Sequence, residues 1–148
     1  MMKLINYKKI SKKHIDVSFN VSNDDIYVFA DMDAIHQVIY NLCDNAIRYN
    51  VENGKVTISI GRDGERAYVS VSDTGIGIAQ EHQSRIFERF YRVDKARSRK
   101  SGGSGLGLAI VRSMVERNRG DISVESTLGT GTTFTVTFPI FDTEEEPL

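Results

Sequence analysis

Cysteine occurs once in the 148 residues, proline twice and tryptophan not at all. The single thiol, Cys43, excludes an internal disulfide framework and fits a reducing compartment. Neither sign of charge is in excess. The chain has 19 basic and 20 acidic residues, a formal net charge of -1, and so no broad cationic surface for a polyanion. No apolar run approaches the ~20 residues that a membrane-crossing helix requires, and nothing at the start has the form of a secretory signal. What remains is 40% hydrophobic and 26% charged, the composition of one ordinary globular domain. The acidic end, "FDTEEEPL", reads as a solvated tail.

Hydrophobic periodicity divides the chain. "HIDVSFNV" (14–21) and "IYVFA" (26–30) alternate or are rich in β-branched and aromatic residues, and Asn23, Asp24 and Asp25 between them predict a hairpin. Asp31 is an N-cap, followed by Ile35, Val38, Ile39, Leu42 and Ala46 at helical spacing, with an end near Asn50 to Gly54. "KVTISIG" and "RAYVSVSD" alternate strictly, and Asp63-Gly64 between them predicts a tight turn. A short helix is expected around 80–86, a long basic loop over 91–104 and a second long helix from about Gly105 to Asn118. "DISVES" and "GTTFTVTFPI" form a last hairpin around "TLGTG". Hairpin-linked strands with helices between them, without regular βαβ alternation, imply an α+β fold: a two-layer sandwich of one mixed, mostly antiparallel sheet with the helices packed on one face.

Four segments carry candidate chemistry: "NLCDNAIRYN" (41–50), "DTGIGI" (73–78), "GGSGLGL" (102–108) and "GTGTTF" (129–134). Asn41, Asn45 and Arg48 share one helix face, with Asp44 beside them. An amide oxygen is a ligand for a hard cation, and a guanidinium pairs with phosphate. By itself the helix reads more simply as a solvated face. Asp73 follows a strand and precedes Gly75 and Gly77. A carboxylate there can accept from an exocyclic amine, with glycines admitting a ring close to backbone, or it can bond to its own turn. Gly103, Gly105 and Gly107 lead into a helix whose first N–H groups lack partners, which suits phosphate. Their spacing is neither a dinucleotide fingerprint nor a P-loop.

In this order the four segments resemble the N, G1, G2 and G3 boxes, and "IFERF" (86–90) the F box, of the ATP-binding catalytic domain of bacterial sensor histidine kinases, in the superfamily shared with gyrase B, Hsp90 and MutL. The similarity runs from about Asp31 to Pro139, and "IFERFYRVDKARSRKSGGSGLGLAIV" is its most specific part. The resemblance implies the Bergerat-type ATP-binding fold, ATP as substrate and Mg2+ held through Asn45. It implies that Asn41 supports the phosphate site and that Arg48 stands where the family usually has Lys. Tyr49 would pack near the nucleotide, Asp73 would bind the adenine amine with Thr132 assisting, and Gly75, Gly77 and Ile78 would line the base pocket. Phe87 and Phe90 would anchor the 91–104 loop as a lid, Tyr91 and Arg92 would meet phosphates or a partner domain, and Gly103, Gly105, Leu106, Gly107 and Leu108 would close on the phosphates. Where the family often has His-Gly-Gly after the second long helix, this chain reads Asn118-Arg119-Gly120.

His14, His36 and His82 have no phosphoacceptor surroundings. The resemblance therefore implies residues 1–13 as a junction from a dimerisation and phosphoacceptor hairpin, 14–141 as the catalytic domain and 142–148 as the acidic tail. The implied partners are that hairpin domain of the same kinase and a response regulator, with no nucleic acid, no direct membrane contact from this segment and a monomeric isolated domain. The implied location is cytoplasmic, within a longer protein anchored in the bacterial cell membrane. A stand-alone anti-sigma-factor-type serine kinase of the same fold is the alternative; Asn41 weighs against it, because such enzymes carry a Glu base there. Arg89, Arg92, Lys95, Arg97, Arg99 and Lys100, interleaved with Phe90 and Tyr91, have the look of a nucleic-acid stretch, but near-neutral total charge favours a solvated loop.

Overall fold

The computed structural model describes residues 12–93 and 107–141. The acidic tail, most of the junction, Gly103, Gly105, Leu106 and nearly all of the expected lid lie outside the described residues. Among the described residues the elements run in the order β1 (Asp16–Val21), α1 (Met32–Arg48), β2 (Lys55–Asp63), β3 (Arg66–Asp73), α2 (Gln80–Gln83), α3 (Gly107–Arg117), β4 (Asp121–Thr127) and β5 (Gly131–Pro139). They form one sheet, ordered β1-β2-β3-β5-β4, with α1 and α3 in the other layer, as the α+β expectation requires.

The core is the meeting of two periodicities. Alternate residues Val56 and Ile58, Val71, and Phe134, Val136 and Phe138 point from three central strands to the same side. The α1 stripe of Val38, Leu42 and Ala46 and the α3 pair Val111 and Val115 complete the cluster. Cys43 is buried within it, and desolvation pushes its thiol up to about 11, so it behaves as a small apolar side chain. The other sheet face is hydroxyl-rich. Ser18 and Thr57 hydroxyls lie 3.3 Å apart, and those of Ser72 and Thr133 2.8 Å apart.

The N-terminal hairpin does not form. β1 instead pairs in parallel with β2, placing Val17, Phe19 and Val21 opposite Val56, Ile58 and Ile60. Residues 26–30 contribute a single antiparallel bridge, Val28 to Ile140. The reason is the partner on offer. β2 presents an apolar run in phase with β1, bracketed by Asp16 N–H to Gly54 O and Ser22 N–H to Ile60 O, each 2.9 Å. A period-2 pattern does not state which strand it pairs with. The turns of the other two hairpins fall where expected, with Gly64 at φ 63°.

Asp31 caps α1, its carboxylate accepting from Asp33 N–H at 2.9 Å. Its own N–H donates at 2.9 Å to the Asn118 side chain, whose amide also donates to Met114 O at 2.8 Å. Asn118 thus ties the end of α3 to the start of α1. Just beyond it, Gly120 N–H bonds to Val115 O at 2.8 Å and Arg119 N–H to Glu116 O at 3.1 Å, the pattern of a helix C-terminus closed through a left-handed residue. That residue is Arg119, at φ 63°, a conformation that favours glycine. Arg119→Gly is expected to raise stability by about 0.5–1 kcal/mol, read as a higher urea midpoint with an unchanged slope. A lower midpoint would mean that the arginine side chain stabilises this turn.

Candidate functional site

The polar face of α1 runs along the edge of the core. Asn41, Asp44, Asn45 and Arg48 are all half-buried. Asn41 accepts from Gln37 Nε2 at 3.2 Å. Arg48 donates to Asp44 one turn earlier at 2.7 Å, with both side chains less than one-fifth exposed. Its Nε is buried and has no acceptor among the described residues. The expected phosphate partner is therefore a guanidinium that already holds an internal counter-ion and still keeps one unused donor. Among the described residues no cluster of three His, Cys, Asp or Glu could hold a metal. A cation at the Asn45 amide would draw its other oxygens from a bound ligand, which suits Mg2+ on phosphate.

The end of α1 is fastened by residues that the sequence reading did not single out. Lys13 donates from its ammonium group to Ile47 O at 3.1 Å, Arg48 O at 2.6 Å and Asn50 O at 3.3 Å. A cation there complements the negative end of the helix dipole. Asn50 is buried. It donates to Lys55 O at 3.1 Å and accepts from Val51 N–H at 2.8 Å and the Thr74 hydroxyl at 3.3 Å. Tyr49, the C-cap, accepts from Ile76 N–H at 3.2 Å through its carbonyl. One signal was available: a third asparagine directly after "NAIRY". Lys13 had none, being one of a run of lysines.

Asp73 ends the core-facing run of β3. Its Oδ1 accepts from Gly75 N–H at 2.8 Å and Thr132 N–H at 3.3 Å. Among the described residues nothing donates to Oδ2. Burial pushes its pKa up to about 6, and the two backbone donors pull the other way. At neutral pH this is a desolvated anion with one open acceptor. The backbone beside it leaves no room for a side chain. A Cβ on Gly75 would lie 2.4 Å from Tyr49 O, and one on Gly77 2.2 Å from Thr127 O, where φ is also 72°.

The 75–78 loop is clasped from the other side by the β4–β5 end. Gly129 N–H donates to Ile76 O at 2.7 Å. Ile78 N–H donates to the Ser126 hydroxyl at 2.7 Å, and Gln83 Nε2 donates to Ile78 O at 2.8 Å and Ser126 O at 3.1 Å. Ser126 and Gln83 were not anticipated. The signal for Ser126 was faint: "ISVES" alternates, which puts a serine on the face of Ile122 and Val124.

Beyond α2 the chain continues as turns closed by Arg85 N–H to His82 O, Glu88 N–H to Arg85 O and Tyr91 N–H to Glu88 O. Phe87 anchors this stretch, packing edge-on against Phe134 with centroids 6.1 Å apart. Phe90 does not serve as the expected second anchor. It is 64% exposed and takes the left-handed conformation, at φ 66°. Tyr91 is hydrogen-bonded to His82 Nδ1 with the Arg85 guanidinium 4.5 Å from its ring centroid. Arg92 is half-buried, Gly107 is exposed at the start of α3, and Leu108 packs against the core.

A protein-family model described as "Histidine kinase-, DNA gyrase B-, and HSP90-like ATPase" matches residues 30–142. The sensor histidine kinase RppB of Synechocystis sp. is 45% identical over 128 residues, which are 86% of this chain and 28% of that protein. The nucleotide-free catalytic domain of the histidine kinase ThkA superposes with a TM-score of 0.76 at 35% identity, covering 90% of this chain and 84% of that one. ThkA in complex with the response regulator protein TrrA gives 0.71 at 34% identity, over 90% and 36%. Full-length ShkA in complex with AMPPNP gives 0.77 at 33% identity, over 90% and 27%. The chain spans about a quarter of the length of the curated relatives it matches, 28% and 23% for the first two.

The raised pKa of Asp73 has a stability consequence. The folded state holds this proton up to about pH 6, the unfolded state only to about pH 4. Between those values the folded state binds more protons, so stability falls as pH rises and levels off above 6. Asp73 is only half-buried, which limits the loss to about 1–2 kcal/mol. Denaturant midpoints compared at pH 4.5 and 7 should record this decline, and Asp73→Asn should flatten it. An unchanged decline in the variant would assign it to another group.

Proposed function

The chain belongs to the family of histidine kinase-, DNA gyrase B- and HSP90-like ATPases, as the ATP-binding domain of a sensor histidine kinase, and we propose how its residues serve that role. In this reading adenine sits against the 75–78 loop with its amine on Asp73. The phosphates run along the face of Asn41, Asn45 and Arg48. The observation that carries it is the Asp73 carboxylate, with one oxygen fixed by two backbone N–H groups and the other open. Mg2+ held by the Asn45 amide supplies charge neutralisation at the phosphates. A phosphate oxygen near Arg48 gives its unpartnered Nε an acceptor.

Asn41 bears on the reaction type. An amide takes no proton, so Asn41 cannot be the base that activates water, and Asp44 on the same face is paired with Arg48. A neutral imidazole needs no such base. Its nitrogen attacks the γ-phosphorus, the bond to the ADP oxygen breaks, and ADP leaves. We assign that imidazole to another part of the same longer protein, with residues 1–13 as the junction. The phosphoryl group then passes to a response regulator, a class of partner with which ThkA has been crystallised. Because the relatives are sensor histidine kinases, a stand-alone serine kinase is not favoured. No helix among the described residues is long and apolar enough to cross a membrane.

Calorimetry tests the binding mode. Asp73→Ala is expected to weaken ATP roughly 10- to 100-fold, the value of one hydrogen bond to a charged group. Asn45→Ala should remove most of the Mg2+-dependent part of ATP binding and leave metal-free adenosine untouched. Equal losses for both ligands would give Asn45 a packing role. Radiolabelled ATP tests the reaction. Little turnover is expected from this chain by itself, and an acid-labile phosphohistidine when the kinase's remaining part is added at high concentration. Rapid hydrolysis by the chain, or acid-stable phosphoserine on an added protein, would refute the assignment.

A further inference from the structure

Three strands end their core-facing runs on a polar residue, and register sets the three side by side. Asp73 of β3 is opposite Thr132 of β5, and Thr132 is opposite Ser126 of β4. The next row inward is Val71, Phe134 and Val124. The polar row therefore lies where the core meets the 75–78 loop, and Thr132 within it is 6% exposed.

The Ser126 hydroxyl has three neighbours. It accepts from Ile78 N–H at 2.7 Å, donates to Gly131 O at 3.0 Å, and lies 2.8 Å from the Thr132 hydroxyl oxygen. A hydroxyl has one proton and two lone pairs. Ile78 N–H can only donate and Gly131 C=O can only accept. One assignment satisfies all three contacts: the Ser126 proton goes to Gly131, and the remaining lone pair receives the Thr132 proton. Thr132 is left with lone pairs alone. Gln83, bonded to both Ser126 O and Ile78 O, holds the serine and the loop in this relation.

We infer that Ser126 is a positioning residue that turns the Thr132 hydroxyl proton away from the base site and makes the Asp73–Thr132 edge accept hydrogen bonds without donating any. This inference rests on the reading of the cleft as an ATP site. It deepens that reading by giving a rule for the group at position 6 of the base: a 6-amino purine brings an amine N–H to an all-acceptor edge, whereas a 6-oxo purine brings a keto lone pair to that place. Ser126 reaches the base only through Thr132.

The test is the ratio of affinities for ATP and inosine triphosphate, which carries a keto oxygen in place of the amine, measured by calorimetry on the full chain. The parent is expected to favour ATP. In Ser126→Ala the Thr132 proton is free to turn toward a keto oxygen, and the preference should narrow roughly 5- to 10-fold. Thr132→Val, close in shape, should narrow it similarly if the alanine variant folds poorly. Ser126→Thr keeps a hydroxyl and should restore the parental ratio. A purely structural role would weaken both nucleotides by one factor and leave the ratio alone, and that result in Ser126→Ala and Thr132→Val overturns the inference while the ATP reading stands. A parent that binds neither nucleotide overturns both.

Discussion

A carboxylate brought to the boundary of an apolar core is the constraint on which this site depends. Asp73 is carried there by strand parity: the alternation that buries Val71 points Asp73 to the same side. Burial makes the charge costly. Two backbone N–H groups offset part of that cost, and a ligand donor at the open oxygen would offset more. The surrounding structure keeps those donors in place. The loop that supplies Gly75 N–H is held by Tyr49 O on one side and by Gly129, Ser126 and Gln83 on the other. A side chain at Gly75 would displace the loop from both.

Helix α1 joins this anion to the rest of the molecule. Its apolar stripe is the centre of the core, its polar face is the phosphate surface of the proposed site, and its last turn meets the 75–78 loop through Tyr49 and Asn50. Lys13 closes that turn with three bonds to carbonyls. The stretch entering the domain is therefore fastened to the helix that bears Asn45 and Arg48.

The stretch from α2 to Tyr91 is built differently. Phe87 fixes it through the core, whereas Phe90 takes a left-handed conformation in solvent, an arrangement that persists only where neighbours determine it. Those neighbours are Phe87 on one side and the His82–Tyr91–Arg85 cluster on the other.

Periodicity and turn chemistry made much of this fold legible in advance: the α1 stripe behind Asp31, the two hairpins around Asp63-Gly64 and Leu128-Gly129, and the side of the sheet on which Asp73 lies. Those features depend on residues a few positions apart, so the chain states them locally. Strand partnership was not legible. Val17, Phe19 and Val21 alternate equally well for a hairpin with 26–30 or a parallel pairing with β2, and only the apolar run across α1 favours the second. The identity of Lys13, Ser126 and Gln83 as site-supporting residues was hidden for a related reason. Ile78 and Ser126 are 48 positions apart, and the direction of a hydroxyl proton depends on every neighbour within reach at once. By itself the sequence determined the elements, the side of the sheet that is buried and the residue types available to meet a nucleotide. The tertiary structure alone decided which groups face one another and which of them donate, because hydrogen bonding is directional and its partners are chosen in space.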